Sequence, residues 1–177
     1  MPADTTIYAA RKFRLVKHPH TLRDGTPHEY EIIRHPGAAV ILPLLDDGRV
    51  VMIRNRRVAI GETLLELPAG TLDVPGEPPV ECAKRELIEE TGYTAAKLTP
   101  LLWFYSSPGF CDEKLYAFLA TDLTAGEARP EASEDLSLEI LDWPAALEAA
   151  RRGEIRDSKS LLTILHYDRF FRDGARR

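Results

Sequence analysis

The chain has 177 residues, 44% of them hydrophobic and 29% charged, with a formal net charge of −5. That length suits one domain with a substantial core, and the acid excess argues against a broad attraction to nucleic acid or anionic membrane. An anionic substrate would therefore need local help, from a few arginines or from bound cations.

The two cysteines, Cys82 and Cys111, have neither zinc-ligand spacing nor a disulfide-rich setting, so they read as reduced thiols of a cytoplasmic protein. "MPADTTIYAA" lacks a basic stretch followed by an apolar one, so no secretory signal is expected. The longest apolar run, around "GAAVILPLL", is about half of what a membrane span needs. The five histidines share no ligand spacing and receive no role.

In chain order, residues 7–17 and 27–35 read as two extended segments around "RDGTP", whose Asp24-Gly25 signals a hairpin. "AAVILPLL" reads as a buried strand, "DDG" as a turn and "RVVMIRNR" as its hairpin partner, followed by the short extended "TLLELPAG". Pro78 and Pro79 fit a helix start and Gly92 a helix stop after Thr91. "LLWFYS", "KLYAFLAT" and "LSLEILDW" are further strands, and Trp103, Phe104 and Tyr105 are expected to pack in the core, with one of them stacking on a base as the alternative. Pro144 opens a helix through "AALEAARR", and "DSKSLLTILHYDRFF" has the cap and apolar spacing of a closing helix. Strands interleaved with three helices predict an α/β domain with a mixed sheet, preceded by a small β hairpin.

The first helix carries the chemistry. Glu86, Glu89 and Glu90 lie on one side of it, beside the apolar stripe of Val80, Ala83, Leu87 and Thr91. Glu77 and Glu81 suit the positive end of the helix dipole, but the later three glutamates gain nothing from it. Like charges at this spacing repel. Two readings stand: a solvated acidic face partly balanced by Lys84 and Arg85, or a site for a hard divalent cation, Mg²⁺ first, that a substrate phosphate would complete.

Glu77, seven residues and then "RELIEETGY" resemble the box of the Nudix hydrolases, G-x5-E-x7-R-E-U-x-E-E-x-G-U with U apolar. Arg85, Glu86, Leu87, Glu89, Glu90 and Gly92 fall on its positions, and Tyr93 serves as the final bulky residue. Gly70 lies six residues before Glu77 instead of five, a one-residue insertion in a loop. "RNRRVAIGETLLELPAG", Pro108 fifteen residues beyond the box, and "GEIRDSKSLLTILHYDRF" resemble the ADP-ribose pyrophosphatase branch of that family.

The resemblance implies a Nudix-type α/β/α sandwich, with residues 1–36 as an N-terminal hairpin region serving a homodimer and 37–177 as the hydrolase domain. It also implies Mg²⁺, with Mn²⁺ as a substitute, held by Glu86, Glu89, Glu90 and the Ala69 carbonyl. Arg85 would hold a box carboxylate in place, and Glu77 could do the same. Glu134, or failing it Glu131, would be the general base, from the acidic loop "EARPEASEDLSLEI". Arg54, Arg56 and Arg57 form a basic cluster of which one or two, Arg54 and Arg57 first, would meet substrate, together with Pro108. The implied reaction cleaves the diphosphate of a nucleoside diphosphate sugar, ADP-ribose to AMP and ribose 5-phosphate. Three alternatives are GDP-mannose or another nucleotide sugar, a non-catalytic ligand sensor on the same scaffold, and a metal-free interaction module. Nucleic acid and membrane are not expected as partners.

Overall fold

The computed structural model describes residues 3–130 and 134–172. Strands β1 (Thr5–Ala9), β2 (Arg14–Thr21) and β3 (Pro27–Arg34) form an antiparallel sheet in the order β1-β2-β3. The expected hairpin is β2–β3, turned at Gly25 (φ 87°) while the Asp24 carboxylate accepts from the Thr26 N–H at 3.0 Å. The segment expected as one strand over 7–17 is two strands. The chain turns at residues 10–13, where the Ala10 N–H donates to the Phe13 carbonyl at 2.9 Å.

Strand β4 (Ala38–Pro43) is buried at all six positions, and its alternation sorts the core into two halves. Val40 and Leu42 pack with Val50, Met52, Leu67 and Ile164, whereas Ala39 and Ile41 pack with Cys82, Ala83, Leu87 and Phe118. A strand covered on both faces reads as a continuous apolar run, as "AAVIL" does.

Strand β5 (Val50–Arg57) is not the hairpin partner of β4. It pairs with β6 (Glu62–Glu66) and, later in the chain, with β10 (Leu136–Leu141), and only the bridge Leu44–Val50 links it to the β4 end. Strand β4 instead lies between β7 (Ala69–Thr71), antiparallel, and β9 (Lys114–Thr124), parallel, with β8 (Thr94–Tyr105) beyond β9. The reason is burial: β4 and β5 each present apolar side chains to the space between two sheets, and that space closes only if they part after the Asp46–Gly48 turn.

Helix α1 (Pro79–Thr91) packs on β4, β7 and β8. Helix α2 (Trp143–Arg151) packs on α3 (Ser158–Phe170), and α3 crosses β4 and β8 from the opposite side. The result is the expected α/β layering around a mixed sheet. Helix starts follow the sequence: Pro at the first turn of α1 and α2, and Asp157 capping α3 by accepting from the Ser160 N–H at 3.0 Å. Among the described residues no helix is long and apolar enough to cross a membrane.

Of the aromatic trio in β8, only Phe104 packs against the core. Trp103 and Tyr105 are 56% and 47% exposed, stacked edge to face with centroids 5.7 Å apart, and the Lys114 ammonium sits 4.1 Å from the Trp103 centroid. Alternation along one strand places i and i+2 on the same face, and here that face is the outer one.

Among the described residues, the end of β3 hydrogen-bonds the N-terminal sheet to the rest. The Ile33 N–H donates to the Phe110 carbonyl, the Asp112 N–H to the Ile33 carbonyl, and Arg34 binds Asp112 at 3.2 Å and Asp4 at 2.8 Å. The Asp4 carboxyl is held down at about 2, first by the Arg34 hydrogen bond and then by that of His18.

Candidate active site

Helix α1 delivers its three glutamates unequally. At 100° per residue, Glu86 and Glu90 lie close to the Ala83 side of the helix and Glu89 lies farther round. Glu86 is 8% exposed and Glu90 2%, while Glu89 is half-buried. The acidic face is therefore not a solvated one; its two central members lie within the buried face. Burial, the largest influence on both, raises Glu86 to about 7 and Glu90 to about 8. Among the lesser influences that raise both is the charge of Glu134.

The β7 loop closes on these carboxylates. The Ala69 N–H donates to Glu90 Oε2 at 2.9 Å. A β-carbon on Gly70 would lie 1.8 Å from Glu86 Cδ and 1.9 Å from Oε1, so the carboxylate fills the place a side chain would take. Gly92 ends the helix in the left-handed conformation (φ 76°), and a β-carbon there would strike the backbone of residues 126–128. The same stretch is pinned by the Arg129 N–H, which donates to the Glu89 carbonyl at 2.8 Å. Helix α1 thus anchors the acidic loop that leads to Glu134.

Arg85 gathers the carboxylates around it. It binds both oxygens of Glu77 at 3.2 Å, Glu86 at 2.6 Å and Glu89 at 3.0 Å. The Glu77 hydrogen bonds are the main reason its guanidinium is held firmly protonated. Beside it the buried Cys82 thiol, pushed up to about 12 by burial, faces the Gly70 and Thr71 carbonyls.

Glu86, Glu90 and Glu134 line one cavity of about 260 Å³ with Ala69, Gly70 and Arg85. Its other walls bring in residues that sequence reasoning missed: Lys12, Ser106, Glu113, Asp157 and Lys159. Arg57 is there too, its guanidinium bound to buried Glu66 at 2.8 and 2.5 Å, and Lys159 binds the same Glu66 at 2.9 Å and Asp157 at 2.9 Å. Burial pushes the Asp157 carboxyl up, but Lys159 and Ser160 outweigh it and hold it below the usual range. The visible signals were the charge set in the apolar frame of "LLELPAG" and the opposite charges of Asp157 and Lys159 in "DSKS". A larger hollow of about 930 Å³ along His18, His20 and His28 is walled by the β2–β3 hairpin alone and gathers no such set.

Other expected site residues lie elsewhere. Arg54 is bound to Glu139 of β10 at 3.1 Å, Arg56 to the Gly61 carbonyl, and Pro108 lines a separate hollow with Tyr105 and Phe110. Glu131 lies outside the described residues. Among the described residues no three His, Cys, Asp or Glu side chains are already gathered in metal-holding geometry. The donor chemistry nevertheless fits a hard divalent cation: buried carboxylate oxygens, a glycine cradle around one of them, and carboxyls raised first by burial and then by neighbouring negative charge, which a cation would relieve.

A buried glutamate pair one helical turn apart, clasped by an arginine and a glycine loop on a mixed-sheet sandwich, defines the class. The family model of the NUDIX domain matches residues 33–163, and the chain belongs to the Nudix family, whose hydrolases generally use divalent metal ions. The chain is 38% identical over 164 residues to an ADP-ribose pyrophosphatase of Bacillus subtilis (strain 168), covering 92% of this chain and 88% of that one. It is 36% identical over 160 residues to a GDP-mannose pyrophosphatase of Cronobacter sakazakii (strain ATCC BAA-894), covering 81% and 83%. The crystal structure of an ADP compounds hydrolase superposes with a TM-score of 0.83 at 22% identity, over 99% of this chain and 95% of that one, which bears on the fold.

Proposed function

We propose that the protein is a Mg²⁺-dependent nucleoside diphosphate sugar pyrophosphatase that converts ADP-ribose to AMP and ribose 5-phosphate. The observation that carries this is the buried pair Glu86 and Glu90 facing Glu134 across one cavity with cations on its other walls. Similarity to an ADP-ribose pyrophosphatase along nearly the whole chain supports the choice of substrate.

Glu86 and Glu90 would hold the metal, with Glu89 and the Ala69 carbonyl assisting. Bound there, a divalent ion neutralises phosphate charge and lowers the pKa of water. Arg85 keeps Glu86 and Glu89 aimed by hydrogen bonding to both, and Glu77 in turn keeps Arg85 in place. Glu134 accepts the proton of the attacking water. Arg57 and Lys159, fixed by Glu66, face the substrate's phosphates as preorganised cations. Arg54 and Pro108 stand farther out, as candidate contacts to the sugar or base. The enzyme works in the cytoplasm as a homodimer through the N-terminal sheet, with Mn²⁺ able to replace Mg²⁺.

A panel of ADP-ribose, GDP-mannose, other nucleotide sugars and nucleoside triphosphates, assayed with Mg²⁺, tests the reading. A higher kcat/KM for ADP-ribose than for any other member is expected, and preference for GDP-mannose or a triphosphate would overturn it.

A further inference from the structure

Four cations among the described residues line the carboxylate cavity: Lys12, Arg57, Arg85 and Lys159. Three of them are committed to protein carboxylates. Arg85 is spread over Glu77, Glu86 and Glu89, Arg57 is bound to Glu66, and Lys159 to Glu66 and Asp157. Lys12 alone has no ion-pair partner among the described residues. It also has a different origin, the turn between β1 and β2, outside the residues 33–163 that the NUDIX model matches.

The turn that carries Lys12 is built to reach this point. It is closed by the Ala10 N–H bonding the Phe13 carbonyl, and the β-sheet behind it is clamped to the hydrolase core through Arg34 and Asp112. The same turn walls a second groove of about 810 Å³, whose opposite side is the loop 72–77 that runs one residue longer than the family pattern. Lys12 and Asp73 line both spaces, so they stand where the cavity opens into the groove. At this opening Lys12 is, of the four cations that line the cavity, the one without an ion-pair partner among the described residues, and it stands where an anion would enter.

We infer that Lys12 is a substrate-binding residue, presented by the N-terminal sheet of the same chain to a phosphate oxygen of the diphosphate. This rests on the proposed nucleotide-sugar activity and assigns the N-terminal sheet a part in the site besides assembly. A charge-assisted hydrogen bond from an exposed lysine to phosphate is lost in Lys12→Ala and Lys12→Gln and kept in Lys12→Arg.

The test is steady-state hydrolysis of ADP-ribose at saturating Mg²⁺, joined to equilibrium binding of inorganic pyrophosphate. Lys12→Ala and Lys12→Gln should raise KM about 5- to 20-fold with kcat within about twofold, and Lys12→Arg should restore most of the loss. The wild-type KM should rise with salt more steeply than that of Lys12→Ala. Tm should stay within about 2 °C, since the Lys12 side chain has no hydrogen-bond or ion-pair partner among the described residues. An unchanged KM, or a fall in kcat alone, would overturn the assignment. If the wild type hydrolyses no nucleotide sugar, the functional reading fails separately, and equal pyrophosphate affinity in wild type and Lys12→Ala then overturns the role of Lys12.

Discussion

The carboxylate of Glu86 occupies the space that a side chain at position 70 would need: a β-carbon on Gly70 would meet Glu86 Cδ at 1.8 Å and Cγ at 2.3 Å. Gly70 does not adopt a positive φ, so alanine there strains no backbone and acts only by displacing the carboxylate. Gly70→Ala should weaken Mg²⁺ binding by about tenfold or more while leaving Tm within a few degrees. Calorimetric metal titration beside thermal melting checks this; retained affinity would show that Glu86 has room to move.

Glu86→Gln and Glu90→Gln remove charge without removing volume. Several kcal/mol of transition-state charge stabilisation depend on the metal these groups would hold, so each substitution should lower kcat/KM by about 100-fold or more. Turnover that survives both substitutions would disprove the metal assignment.

Glu134→Gln leaves a neutral amide where the proposed base stands. The expected result is a loss of kcat of about 100- to 10,000-fold with little change in metal affinity. A variant that loses metal instead of turnover would reassign Glu134 from base to ligand.

The raised carboxyls give the metal-free protein a signed pH dependence. Glu86 and Glu90 titrate in the fold near 7 and 8, above their ordinary range, so the folded state binds more protons than the unfolded one between about pH 4.5 and 8. Stability then falls as pH rises through that window. With a chelator present, Tm should be higher at pH 5.5 than at pH 8.5, and Glu90→Gln should flatten the trend. Metal binding should release protons and tighten as pH rises across the same interval. A metal-free Tm that climbs from pH 5.5 to 8.5 would contradict the burial argument.

Glu66 is fully buried and holds both Arg57 and Lys159. Replacing it by alanine strands the partly buried Lys159 beside Asp157 alone and frees Arg57. Because Arg57 is partly exposed, the expected destabilisation is near the lower end for a broken buried pair, about 3 kcal/mol. Denaturant melts measure it, and a loss under about 1 kcal/mol would show that water replaces the pair.

Much of the site was legible along the chain because its parts are neighbours along the chain. Pro78 and Pro79, the i, i+4 spacing of Glu86 and Glu90, and the Gly92 stop are local properties of one helix, readable from 3.6-residue periodicity and cap chemistry. The same holds for the continuous apolar run of β4 and for Asp157 at the start of α3. The one-residue insertion before Glu77 was visible as a length, but not as a groove wall.

Tertiary structure decided the rest, and in each case the deciding partner is remote. Strands β4 and β5 part into different sheets because each finds a better-buried partner, β9 or β10, more than 70 residues on in the chain. Glu86 and Glu90 become buried because β7 folds over them, and Trp103 and Tyr105 stay outside because only one face of β8 meets the core. Glu66 and Lys159 meet across 93 residues, with Arg57 on the same carboxylate, and Lys12 reaches the cavity from a turn outside the family match. Periodicity tells which residues share a face of an element; only packing tells what that face meets.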